Sequence, residues 1–111
     1  MALQEKQLGQ LRPANTTAAS LYSPASDTTG IIKTLLIVNT TSTLAYARVF
    51  VDDNGTTYDE TTTVGWDIAV QPGRPAVLKD FMAMNNSAGN LAVRTDTNDA
   101  LTFTAFGAEI T

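Results

Sequence analysis

Cysteine and histidine are both absent from the 111 residues. That removes disulfides, thiol nucleophiles, imidazole general bases, zinc sites and the usual haem and iron–sulfur ligands together. Charge is scarce as well: charged residues make up 16% of the chain and the net charge is −4. The seven Lys and Arg are scattered, so no basic stripe is available to neutralise a phosphate backbone, and nucleic acid is not an expected partner. Long apolar runs are missing too. The run Leu35–Val38 is far short of a membrane span, and Met1 to Gln10, with Glu5, Lys6 and three Gln, reads as neither a signal peptide nor a membrane anchor. The expectation is a soluble protein made in the cytoplasm, without disulfides, that must rely on its core or on neighbouring subunits for stability.

What the chain does have is threonine, eighteen residues of it, and 43% hydrophobic residues. A β-branched side chain with a hydroxyl suits the solvent face of a pleated sheet better than a helix surface. No segment sustains a helical period. Short apolar or alternating stretches instead recur at sandwich-like spacing, separated by turn chemistry. They predict an all-β, antiparallel β-sandwich of about seven or eight strands: Ala18–Tyr22, Ile31–Asn39, Leu44–Asp52, Thr56–Asp59, Val64–Val70, Ala76–Met82, Leu91–Thr95 and Leu101–Ile110. Two domain-level regions follow, an extended N-terminal arm over residues 1–17 and a sandwich over 18–111. In the arm, Leu3, Leu8 and Leu11 keep neither a helical nor a strand period, so they are candidate anchors onto a neighbouring subunit.

The breaks have causes. Ser23-Pro24 ends the first strand or marks an edge, because proline has no ladder donor. Gln71-Pro72-Gly73-Arg74-Pro75 is a turn in which Gly73 readily takes positive φ. Asn54-Gly55 is the strongest hairpin signal and predicts a tight type I′ turn. Ala45, Ala47, Val49 and Val51 are expected inside, with Tyr46, Arg48 and Phe50 outside. Ile31–Val38 reads as covered on both faces, and the last strand as covered on both faces or bulged near Ala105–Gly107.

Chemistry-bearing patterns are few. Four of eleven carboxylates fall in Asp52–Glu60, but an EF-hand alignment puts Thr57 at the glycine position and supplies no glutamate at the twelfth, so a solvated acidic tip explains the segment. No metal or other cofactor is expected. Asp59, Glu60 and Asp67 are the one tempting set for paired-carboxylate hydrolysis, with no spacing to single them out. The serines have no His partner, so the chain is not expected to be an enzyme. A sugar-binding module would display aromatics together on a flat face; Trp66, alone of its type, reads as a core or interface anchor. Met82 and Met84 read as core residues before a polar loop.

Leu21-Tyr22-Ser23-Pro24-Ala25, Gly30-Ile31-Ile32-Lys33-Thr34, Ile37-Val38-Asn39-Thr40-Thr41, Asp52–Glu60 and Met84–Arg94 together resemble a group of small structural proteins of tailed bacteriophages. The resemblance runs from about Gln7 to Thr111 and departs at Thr61-Thr62-Thr63, where apolar character is expected. It implies a jelly-roll-like sandwich that decorates or cements a capsid, as a homotrimer bound to the major capsid protein or another virion protein. A tail or adsorption-apparatus component, including a carbohydrate-binding module, is the alternative. The implied location is the virion, at the capsid surface. The resemblance brings no catalytic residues.

Overall fold

The computed structural model describes residues 2–79 and 81–111, and these form nine strands and no helix. They are β1 (Leu3–Leu11), β2 (Ala19–Tyr22), β3 (Thr29–Asn39), β4 (Ala45–Asp52), β5 (Thr63–Val70), β6 (Ala76–Leu78), β7 (Met82–Met84), β8 (Asn90–Thr95) and β9 (Leu101–Ile110). Two antiparallel sheets result. Sheet A runs β1-β9-β3 with both β6 and β7 on the far side of β3, and sheet B runs β2-β8-β4-β5. With β6 and β7 counted as one interrupted strand, the strand order within the two sheets is that of an eight-stranded jelly roll, the chain changing sheet at every connection but β4 to β5. The all-β sandwich expected from the sequence is therefore the architecture.

The inner faces meet in a core of Ile32, Leu35 and Ile37 from β3, Ala47 and Val49 from β4, Leu91 and Val93 from β8, and Leu101 and Phe103 from β9. Pleating alternates these with outward residues, and bulges decide where the alternation skips. On β3 the register shifts at Lys33, so Ile32 and Leu35, three apart, both face inward. β9 itself runs without a bulge; its partners β1 and β3 carry the extra residues instead, against one of the two expectations for that strand. The buried Asn39 ties the layers together, donating to the Thr43 and Val70 carbonyls while its Oδ1 accepts from Thr41.

Three expectations are corrected. The expected arm over residues 1–17 is not separate: within its described part, Leu3–Leu11 is a strand that pairs with β9 from Leu3 opposite Ile110 to Leu11 opposite Phe103. The bulge at Leu8 puts Leu8 and Leu11 against the protein's own core and hides the strand period from the sequence. Second, Asn54-Gly55 is not a type I′ turn, since neither residue has positive φ, and Thr56–Asp59 is not a strand. Asp52 captures the Asn54 and Thr57 amides, Asp59 captures the Thr61 amide, and this side-chain bonding holds residues 53–62 as one long loop. Third, the expected strand Ala76–Met82 is two three-residue strands, with Lys79 and Phe81 outside either. The turn before it behaves as expected: Arg74 N donates to the Gln71 carbonyl and Gly73 has φ 74°, a type II turn with proline and glycine in their preferred places.

Candidate functional site

The outer face of sheet B carries the densest group of chemically capable side chains. It is built by a bulge. Between the pairs Ala47–Ile68 and Val49–Gly65, β4 has one residue, Arg48, and β5 has two, Trp66 and Asp67. Asp67 takes φ 51°, a left-handed conformation that costs a non-glycine residue about 1–2 kcal/mol. The result is that Trp66 and Asp67 both face outward and close on Arg48. The Arg48 guanidinium carbon lies 3.6 Å from the Trp66 ring centroid, and Arg48 Nε donates to Asp67 Oδ1 at 2.7 Å. The hydrogen bond from Arg48 lowers the Asp67 carboxyl below its ordinary range.

β8 extends the row. Arg94 is registered directly opposite Arg48, and its Nε donates to the Thr16 carbonyl at 2.8 Å. At one end Tyr46 is tied to Asp96, whose Oδ1 accepts from the Tyr46 amide at 2.9 Å. At the other, Tyr58 folds from the 53–62 loop over Phe50, with ring centroids 6.2 Å apart, and Trp66 meets Phe50 edge-on at 6.3 Å. Burial, with Asp52 second, raises the Tyr58 phenol. A small hollow of about 80 Å³ lies among Tyr46, Arg48, Asp67, Arg94, Thr95 and Asp96. A wider, shallow one of about 470 Å³ lies among Thr16, Thr17, Ala18, Thr56, Tyr58 and Arg94, so Arg94 is a wall of both.

The outer face of sheet A is of another kind. Leu36 and Val38, Val77 opposite Leu36, and Phe106 opposite Thr34 all point away from the core, with Phe106 41% and Val77 45% exposed. Thr34, Thr102 and Thr104 sit between them. At the open end of the sandwich a separate polar cluster seals the core. Tyr22 Oη donates to Glu109 Oε2 at 2.7 Å and Lys6 Nζ to Oε1 at 2.9 Å. Both bonds hold Glu109 below its ordinary pKa, while burial first and the Glu109 bond second raise Tyr22.

Of the residues singled out from the sequence, Leu3 alone of the three leucines stands free, at 64% exposure, while Leu8 and Leu11 pack inward. Trp66 is 41% exposed and so is not a core anchor. Phe50, expected outside, does face outward yet is only 1% exposed, because Tyr58 and Trp66 cover it. The acids of Asp52–Glu60 turn to their own loop: Asp52 and Asp59 accept backbone amides, and among the described residues no three Asp or Glu side chains converge. Arg48, Asp67 and Arg94 were not joined by sequence reasoning, although Tyr46 and Arg48 were placed on the outward phase that also holds Arg94.

No family model matches the chain, and no curated protein matches it. Among solved structures, a chain from the structure of infectious bursal disease virus, Gt strain, is similar at a TM-score of 0.38 and 13% identity. The match covers 97% of this chain and 29% of that one, so the protein spans less than a third of the length of the chain it resembles.

Proposed function

We infer that this protein is a virion structural protein that works by covering area and not by chemistry. The observation that carries the reading is the outer face of sheet A. There Leu36, Val38, Val77 and Phe106 form an apolar surface on the middle of a sheet, the position where a second layer normally packs. An apolar face at the middle of a sheet, in a chain with only 16% charged residues, fits a surface that another chain covers in use. The resemblance to tailed-phage structural proteins supplies the setting: a decoration or cement protein at the capsid surface, trimeric, in contact with the major capsid protein or another virion protein. Several copies docked together hold a shell more firmly than one footprint does. The protein is not an enzyme in this reading. It uses no cofactor, and neither nucleic acid nor membrane is among its partners.

Imaging of intact particles tests it. Density for a jelly roll of this size repeating over the capsid, with sheet A turned toward a neighbouring chain, is the expected result. Density confined to the tail moves the protein to the adsorption apparatus, and its absence from the particle ends the reading.

A further inference from the structure

We propose that the outer face of sheet B is a binding site for a neutral oligosaccharide, lying along the row Tyr46, Arg48, Arg94 and Tyr58. This goes beyond the shell-covering role and uses the opposite side of the molecule.

Two local costs coincide here that a purely structural sheet face would avoid. Arg48 and Arg94 stand directly opposite each other on adjacent strands, an arrangement of like charges that weakens a sheet. One residue away, Asp67 is held in a left-handed conformation by the bulge. Together they fix two guanidinium groups side by side at the boundary of two hollows. Arg48 is immobilised by the Trp66 ring and the Asp67 carboxylate, and Arg94 by the Thr16 carbonyl, so both are preorganised. Only Nε of Arg94 is spent on the protein among the described residues, which leaves its two Nη groups as donors.

The ligand chemistry follows from the walls. The small hollow is lined by two guanidinium groups and two carboxylates, Asp67 and Asp96, so its lining is balanced in charge and mixes donors with acceptors, the Asp67 oxygens and Asp96 Oδ1 already accepting from Arg48, Tyr46 and Thr97. An anion would meet both carboxylates in a chain already at −4. Vicinal hydroxyls, which donate and accept at once, suit such a neutral, mixed lining. Tyr46, 39% exposed at one end, and Tyr58 on the wall of the wider hollow at the other, supply the ring faces on which the apolar side of a pyranose packs. The narrow hollow admits one hydroxyl-bearing arm and the wide one a ring, which makes the ligand a chain of more than one sugar. Trp66 is a positioning residue: it lines neither hollow and acts through Arg48.

The test is titration of the isotopically labelled full-length chain with soluble hexasaccharides of β-linked glucose, α-linked glucose and β-linked N-acetylglucosamine. Resonances are followed at Tyr46, Arg94 and the indole N–H of Trp66, the single tryptophan. The expected result is that at least one hexasaccharide shifts these three and that Arg94→Ala weakens it about tenfold or more, as loss of charge-assisted hydrogen bonds requires. Arg94→Ala should keep its melting temperature within about 3 °C and its oligomeric mass unchanged, which separates this site from the shell-covering face. Tyr46→Ala is the second variant, with the same loss expected. The proposal is overturned if none of the hexasaccharides shifts these resonances at about 10 mM, where even a millimolar complex is saturated. It is equally overturned if binding survives both variants.

Discussion

The two sheets share one core but turn opposite kinds of surface outward, and two phenylalanines make the contrast plain. Phe50 on sheet B and Phe106 on sheet A both point away from the core, yet Phe50 is 1% exposed and Phe106 is 41% exposed. On sheet B a loop folds back and Tyr58 and Trp66 close over the Phe50 ring, so the chain's own residues cover that ring while Trp66 itself stays 41% exposed. On sheet A, Phe106 and Val77 stay exposed, and Leu36 between them is half-buried. In the proposed reading, sheet B presents its polar groups to a small ligand and sheet A is covered by another chain.

The largest expected effect sharpens this directly. Phe50→Ala should cost about 3–5 kcal/mol in urea unfolding, and Phe106→Ala about 1 kcal/mol or less, although both are outward positions on a strand. Both are read at a dilution where the protein is a single chain, so that equal costs would mean that the sheet A face is covered within the monomer. Next, Phe106→Glu should leave the fold intact and weaken self-association by about 2 kcal/mol or more, by placing a charge at the centre of an apolar contact; sedimentation at several concentrations reads it. Asp67→Gly and Asp67→Ala both release Arg48, but alanine also keeps the left-handed strain, so the alanine variant should be the less stable by about 1 kcal/mol.

The smallest effect is a pH dependence at the sealed end. Glu109 is held below its ordinary value of 4.5 by the bonds from Tyr22 and Lys6, so the folded state binds fewer protons there than the unfolded chain. Its contribution is present in full above pH 4.5 and is lost as pH falls through the lowered folded value. Glu109→Gln should therefore flatten the acid side of a melting-temperature profile and leave Arg48, Trp66 and Phe106 chemistry untouched. A profile unchanged by the substitution would show that the cluster does not couple to folding.

Much of this fold was legible because turn residues and period-two alternation are local signals. Gly73 and Pro72 announced their type II turn, and Ala45, Ala47 and Val49 their inward face. What escaped depends on side chains acting on backbone or on bulges. The polar strand Leu3–Leu11 lost its alternation at Leu8, where one extra residue puts both Leu8 and Leu11 inward. The Asn54-Gly55 hairpin failed because the Asp52 carboxylate holds two loop amides that a tight turn would have used differently. The sheet B site was hidden for the same kind of reason. Trp66 and Asp67 are adjacent in sequence, which by simple pleating puts them on opposite faces; only the bulge opposite Arg48 brings them to one. Strand order between the sheets was beyond local pattern, and the resemblance to phage structural proteins alone implied the jelly roll.

The central claim is that the uncovered face of sheet A exists to be buried by another chain. Light scattering on the purified full-length protein at roughly 100 μM, above the dissociation constant of any useful assembly contact, tests it most directly. The account predicts a mass near three times 11.8 kDa that falls to a single chain in Phe106→Glu. A wild-type mass of 11.8 kDa at every concentration would contradict it.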